Sequence, residues 1–210
     1  MTTNRTRILL VRHGATDWSR DDRFCGVTDI DVSAEGVAQA QRLARRLATI
    51  PITAVYCSPL RRTRQTATIL SAPRDREIVV VPELIEMDFG AWEGRLRDEI
   101  RTSAVYAAWQ RDPAGITPPD GESAYAVAAR IVDAMTAIVE RQRGQTVLIV
   151  AHKTVNRILL CHWLGLPLGS YRDRIAQDPC ALNEVTIHDG TGAQIRRLND
   201  TAHLESSGAD

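Results

Sequence analysis

A chain of 210 residues suits one domain with room for an inserted subregion, and it is long enough to bury a real core. Apolar residues make up 44% and charged residues 25%, ordinary proportions for a soluble globular protein. Lys+Arg and Asp+Glu balance at 26 each, which argues against a broad electrostatic partner such as nucleic acid or a membrane surface, while leaving room for a local basic pocket.

The segment Met1 to Arg7 carries basic residues, but the apolar run after it, Ile8 to Val11, ends at Arg12. That is too short for a signal-peptide core or a membrane span. Cys25, Cys57, Cys161 and Cys180 form no C-x-x-C pair, and two of them sit in apolar stretches. Reduced, partly buried thiols in a cytoplasmic protein are the expectation.

Ile8-Leu9-Leu10-Val11 is a continuous apolar run ending at Arg12-His13-Gly14. It reads as a strand buried on both faces of a parallel sheet. Residues 33–50 follow, with Val37, Ala40, Leu43, Ala44 and Leu47 at helical spacing, Ser33 as N-cap, Glu35 in the first turn and Pro51 as the stop. Thr53 to Cys57 is a second strand. Ser58-Pro59 then opens a helix running to Leu70, with proline at a tolerated early position. Glu77 to Val81 reads as a third strand, residues 82–94 as loop, 95–111 as short helices, and 112–121 as a loop rich in Pro and Gly. Glu122 to Arg143 is a long helix with Val127, Ile131, Ala134, Met135 and Ile138 on one face. Thr146 to Val150 is another apolar strand, ending at Ala151-His152, and Lys153 to Leu164 is a helix closed by Gly165. Leu182 to Ile187 and Ala193 to Leu198 read as a hairpin about Asp189-Gly190, and the tail after Leu204 as frayed.

Strands alternate with helices from residue 8 to 164. That pattern specifies an α/β three-layer αβα sandwich with a mostly parallel central sheet. Residues 1–210 read as one domain, with a cap-like insertion around 82–121.

In open α/β sheets, ligands bind beyond the C-terminal ends of the strands. Two of the chain's five histidines, His13 and His152, stand at the exits of its two most apolar strands. If both strands are central and parallel, both histidines emerge at one end of the sheet, beside helix N-termini that favour phosphate. Such a site needs positive charge. Arg12 adjoins His13, and Arg61, Arg62 and Arg64 follow another strand end on one short helix. Arg61 and Arg62 lie on different faces, so one pocket does not easily take both. Protonating a leaving oxygen calls for a carboxyl group with a raised pKa. Glu83, Glu86 and Asp88 are candidates in one loop, and the local pattern selects none of them. His-Glu-x-x-His, cysteine pairs, dense aspartate clusters, a P-loop and a Rossmann glycine fingerprint are absent from the sequence, so no metal or other cofactor is expected.

Arg12-His13-Gly14 with Thr16 resembles the histidine phosphatase superfamily, also called phosphoglycerate mutase-like. The ordered set is specific. Leu10 to Thr16 is followed by Gly26-Val27-Thr28-Asp29, Ser33-Ala34-Glu35-Gly36, Ser58 to Ala67, Glu86 to Gly94, Gly121-Glu122-Ser123 and Val150-Ala151-His152. The resemblance implies a phosphoglycerate mutase-like fold and a role for each matched residue. His13 would be the nucleophile that becomes phosphohistidine. Arg12, Arg62 and His152 would hold the phosphoryl oxygens, and Glu86 would donate a proton to the leaving group. Phosphoryl transfer is mostly positioning and charge stabilisation, so such a set suffices without metal. The ring nitrogen of His13 that does not attack is expected to donate to a backbone carbonyl.

The chain also departs from the family. Relatives often carry Asn where Ser19 stands, so a shorter hydroxyl replaces that phosphate contact or leaves it to water. Thr28 joins Ser19 as a candidate substrate contact. Many relatives have Gly after the second histidine, where this chain has Lys153. That lysine is either a solvent-facing helix start or a ligand for an anionic group of the substrate. The tail Leu198 to Leu204 resembles that of metal-independent phosphoserine phosphatases and α-ribazole phosphatases, which makes His203 a candidate for reaching the substrate. Glu86-Met87-Asp88-Phe89-Gly90 and the short insert before Gly121 differ from the Glu-Arg-His-Tyr-Gly stretch and longer basic insert of cofactor-dependent phosphoglycerate mutases.

The expected function is therefore a metal-independent phosphomonoester phosphatase acting on a small phosphorylated metabolite, with a cofactor-dependent phosphoglycerate mutase as the alternative. A degenerate binding protein would lack the nucleophile or the acid, and this chain keeps both. The expected partner is the small phosphorylated substrate, with no nucleic acid and no membrane, and a homodimer stays open.

Overall fold

The apolar run near the start of the chain forms the middle of a six-stranded sheet. The computed structural model describes residues 5–72, 76–188 and 192–205. The strands are β1 (Arg5–Arg12), β2 (Ala54–Cys57), β3 (Ile78–Val80), β4 (Thr146–Ala151), β5 (Leu182–His188) and β6 (Gly192–Asp200). The helices are α1 (Asp17–Arg20), α2 (Ala34–Leu47), α3 (Arg61–Ser71), α4 (Arg97–Ile100), α5 (Ala104–Arg111), α6 (Ala124–Arg141), α7 (Lys153–Leu164) and α8 (Tyr171–Arg174). The turn expected about Asp189-Gly190 and the tail beyond Glu205 lie outside the described residues.

The strand order is β3-β2-β4-β1-β5-β6. The first four run parallel, and β5 and β6 are antiparallel. Ile8, Leu9, Leu10 and Val11 are each fully buried. Side chains alternate across a strand, so Ile8 and Leu10 enter one core with α6 and α7, while Leu9 and Val11 enter a second core with α2 and α3. Helices thus cover both faces, which is the expected α/β sandwich with a mostly parallel sheet.

Two helix boundaries move by three residues. The helix expected from Ser58-Pro59 begins at Arg61, with Leu60 as its N-cap. Ser58 and Pro59 stay outside because the Ser58 amide donates to the Val150 carbonyl (3.2 Å), extending the chain along β4 before it can turn. The helix expected to reach Ile50 ends at Leu47, and residues 48–50 form a turn.

Residues 82–121 contribute short helices and turns that pack through aromatic rings. Phe24, Phe89, Trp92, Tyr106 and Trp109 meet in tilted and edge-to-face pairs, with Trp92 and Trp109 centroids 5.3 Å apart. This cluster fastens the stretch to the loop after β1, as does the bridge Arg23↔Leu96.

The loop leaving β1 lies directly on the first turn of α2. A Cβ on Gly36 would sit 2.2 Å from the Ala15 carbonyl oxygen, and one on Gly14 would sit 2.5 Å from the Gly36 oxygen. Both near-neighbours are backbone, which cannot swing away as a side chain could. Gly36→Ala is expected to cost about 1–3 kcal/mol, as overpacking does. Thermal unfolding reads this as a lower Tm, and an unchanged Tm would show that the loop and helix separate freely.

Candidate active site

β1 and β4 pair in parallel with Arg12 opposite Ala151, so the next residue of each strand, His13 and His152, emerges at one sheet end. The His13 amide continues the ladder by donating to the Ala151 carbonyl (3.0 Å). The two imidazole centroids lie 5.3 Å apart, in an edge-to-face arrangement. His13 is 5% exposed and His152 is fully buried.

Nδ1 of His13 lies 2.8 Å from the Gly14 carbonyl oxygen. A carbonyl only accepts, so Nδ1 carries the proton and Nε2 holds a free lone pair. Burial, then Arg62 and Arg12, hold the His13 pKa well below the usual imidazole range, so the ring is neutral at neutral pH. His152 is lowered in the same way by burial and by Arg62, His13 and Arg12. Its Nε2 lies 2.7 Å from the Ser58 hydroxyl, and its Nδ1 is buried without a partner.

Two arginines flank the pair. Arg12 donates from Nη1 to the Gln177 carbonyl (2.7 Å), and burial pulls its pKa down to about 10. Arg62, fully buried in the first turn of α3, donates to the carbonyls of Thr28 (2.8 Å) and Gly26 (2.5 Å). The Nε of each arginine is buried without a partner. Both guanidinium groups are therefore held by neutral carbonyls, and neither forms an ion pair with a carboxylate among the described residues.

Glu86 is 3% exposed. Its carboxyl accepts from the amides of Met87 (2.8 Å), Thr154 (3.0 Å) and Val155 (3.3 Å), the last two in the first turn of α7. Helix amides favour the ionised form. Burial outweighs them and raises the Glu86 pKa above the ordinary carboxylate range. Of the other two carboxyls in that loop, Asp88 accepts from the Gly90 amide (2.7 Å) and Glu83 is exposed. Arg61 pairs with Asp31 at the surface (2.8 Å).

Arg12, His13, Ser19, Glu86 and Lys153 line one cleft. Arg62 and His152 stand close enough to depress the His13 pKa or pack against its ring. Ser19 commits its hydroxyl proton to the Thr16 carbonyl (2.8 Å) and accepts from the Thr16 amide (2.9 Å), so it serves a capping box at α1. Two expected substrate contacts are not brought to the cleft. The Thr28 hydroxyl donates to Glu93 (2.6 Å), and its carbonyl holds Arg62 from behind. His203 lies against α2, with Nδ1 3.1 Å from Nη1 of Arg46, which also pairs with Asp200.

Sequence reasoning missed the residues that hold this set. Glu93 accepts from the amides of Gly26, Thr28 and Phe89, tying the loop behind Arg62 to the loop bearing Glu86. Gly26 is needed there, because a Cβ would sit 2.1 Å from Glu93 Oε1 and 2.2 Å from the Met87 carbonyl. Behind Arg12, the Gln177 side chain donates to Asn183 (2.8 Å), which in turn donates to the Leu10 carbonyl (3.1 Å). Trp109, Arg157, Tyr171 and Arg172 also line the cleft. Arg157 was within reach of the sequence, since it follows Lys153 by one helical turn and shares its face.

A family model described as the histidine phosphatase superfamily (branch 1) matches residues 8–201. Phosphoserine phosphatase 1 of Hydrogenobacter thermophilus is 29% identical over 200 residues, covering 94% of each chain. A protein of Enterobacter sp. (strain 638) named "Probable phosphoglycerate mutase GpmB" is 30% identical over 212 residues, covering 97% of each. Among solved structures, the α-ribazole phosphatase from Shigella flexneri superposes with a TM-score of 0.84 at 32% identity, covering 93% of this chain and 97% of that one. The match runs through every element that carries Arg12, His13, Arg62, Glu86 and His152, and the chain belongs to the histidine phosphatase superfamily.

Proposed function

We propose that the chain is a metal-independent phosphatase for a small phosphorylated metabolite, working through a phosphohistidine intermediate on His13. The enzyme class, a phosphoric monoester hydrolase, follows from the family and from relatives named as phosphatases. The observation that carries the finer reading is the His13 Nδ1–Gly14 bond, which leaves the Nε2 lone pair free beside three unpartnered nitrogens, Arg12 Nε, Arg62 Nε and His152 Nδ1.

The chemistry follows from those atoms. The Nε2 lone pair attacks phosphorus, and the bond from phosphorus to the leaving oxygen breaks. Glu86, whose pKa burial raises, gives its proton to that oxygen from its protonated form. With Ser58 donating to Nε2 of His152, Nδ1 of that ring carries a proton and joins Arg12 and Arg62 in stabilising the phosphoryl oxygens. Glu86, now a carboxylate, takes a proton from water. The water oxygen attacks phosphorus, the P–Nε2 bond breaks, and inorganic phosphate leaves with His13 neutral again.

The mutase-named relative supports a second reading, in which a substrate hydroxyl takes the place of water. Against it stands the departure of residues 86–90 from the mutase stretch. Residues 82–121 would act as the cap, since Glu86, Phe89, Arg97 and Trp109 from that stretch line the cleft. No helix among the described residues is long and apolar enough to cross a membrane. All four cysteines are free thiols, and the cytoplasm is the compartment we propose.

The direct test is phosphate release from a panel of phosphomonoesters with EDTA present. Release is expected to survive the chelator and to fall by at least about a thousandfold in His13→Ala, the scale of losing a nucleophile. Conversion of 3-phosphoglycerate to 2-phosphoglycerate without phosphate release would move the chain to the mutases.

The pKa shifts set the pH profile. His13 reacts when neutral, so activity falls as pH drops through its depressed pKa, well below the usual imidazole range. Glu86 reacts when protonated, so activity falls as pH rises through its elevated pKa. Glu86→Gln is expected to lower kcat by about 10²–10⁴, the usual worth of a general acid, and to flatten the alkaline limb for a poor leaving group. An alkaline limb that persists in Glu86→Gln would assign the proton donor elsewhere.

A further inference from the structure

The cleft is far more cationic than a single phosphoryl group requires. Arg12, Arg23, Arg97, Lys153, Arg157 and Arg172 line it, against two acids, Asp22 and Glu86. Three of the six cations have work already. Arg12 belongs beside His13, Arg97 pairs with Asp22 (2.6 Å), and Arg23 donates to the Gly94 carbonyl (3.0 Å). Lys153, Arg157 and Arg172 make no ion pair among the described residues.

Around these three, buried donors lack partners. They are Nε of Arg157, Nη1 of Arg172, the Tyr171 hydroxyl and Nε1 of Trp109. Tyr171 is 1% exposed and Trp109 is 3% exposed. The four come from three separate elements, α5, α7 and α8. Arg172 lies over the Trp109 ring at 3.9 Å, so stacking holds its guanidinium plane in place. A buried polar group is nearly always paired, and four orphaned donors on residues that line one cleft point to an acceptor-rich ligand beside them. Lys153 adds a second sign of unrelieved positive charge: burial and then Arg12, Arg157 and Arg97 push its pKa down to about 8.

We propose that Lys153, Arg157, Tyr171, Arg172 and Trp109 form a second anion subsite, and that the substrate class is a phosphomonoester bearing a second phosphoryl group. This deepens the phosphatase reading above and rests on it for the scissile group. A carboxylate would bring one charge and two oxygens to three unpaired cations. A phosphoryl dianion brings two charges and three oxygens, each able to accept more than one bond, and so matches the five donors better. His13 and its partners act on one phosphoryl group, and the outer subsite holds the other.

The test compares three ester series of equal chain length with a neutral hydroxyl, a second phosphate or a carboxylate at the far end. These are alkanediol monophosphates, alkanediol bisphosphates and ω-phosphooxy carboxylates. The bisphosphates are expected to exceed the monophosphates in kcat/KM by at least about tenfold, mainly through KM. In Arg157→Gln and in Lys153→Gln that ratio should fall toward one. Arg172→Lys keeps the charge but loses the stacked fork, so it should reduce the ratio even where a larger change at Arg172 unfolds the chain. Equal kcat/KM for all three series overturns the subsite. Carboxylates equal to or better than bisphosphates overturn the second phosphoryl group. If no ester is hydrolysed, the phosphatase reading fails. Calorimetric titration of the wild-type chain with the same bisphosphate and monophosphate then still decides the subsite, with equal affinity overturning it.

Discussion

The parallel, in-register pairing of β1 with β4 is the constraint from which the site follows. It sets Arg12 opposite Ala151, so His13 and His152 leave the sheet at one level and their rings meet. The Ser58 amide, bonded to the Val150 carbonyl, brings the lead-in to α3 to the same edge and carries Arg62 with it. Three strand ends, those of β1, β2 and β4, thus bring two histidines and two arginines to one point. Parallel strands with helical connections do this naturally, because every strand ends on the same side and every helix begins there.

That convergence is costly, and the rest of the fold bears the cost. A buried donor without a partner costs about 1–3 kcal/mol, and Arg12, Arg62 and His152 each present one. The sheet core offsets this, since a fully buried aliphatic side chain contributes about 1.5–3 kcal/mol and Ile8 through Val11 are all fully buried. The manner of holding the arginines matters as much as their presence. Carboxylate partners would have neutralised Arg12 and Arg62. Carbonyls of Gln177, Thr28 and Gly26 fix their geometry and leave the charge for an anion.

The cleft also depends on loops that the sheet does not order. Glu93 gathers the amides of Gly26, Thr28 and Phe89, so the wall behind Arg62 and the wall bearing Glu86 are tied together. The aromatic cluster around Phe24 and Trp109 sets the far side and brings Trp109 into the cleft. Glu86 joins two of these segments in one place. Its carboxyl lies at the start of α7, where helix amides orient it and burial raises its pKa.

The sequence by itself determined the layer architecture and the placing of the histidines. Continuous apolar runs at Ile8–Val11 and Thr146–Val150 can be satisfied only by burial on both faces, and each is followed two residues on by a histidine. Periodicity put Arg61 and Arg62 on different faces without choosing between them, and the fold buries Arg62 and pairs Arg61 with Asp31 at the surface. Tertiary structure alone decided what depends on distant backbone. The resemblance pointed to Glu86 where the local pattern could not choose among three acids, and what sets Glu86 physically apart from Glu83 and Asp88 is a pair of amides 68 and 69 residues away. Thr28 turns its hydroxyl to a glutamate 65 residues on, and His203 lies against Arg46, 157 residues back. Local pattern reports which face a residue shares with its neighbours in sequence, but the acceptor a polar group finds is set by whichever segment folds against it.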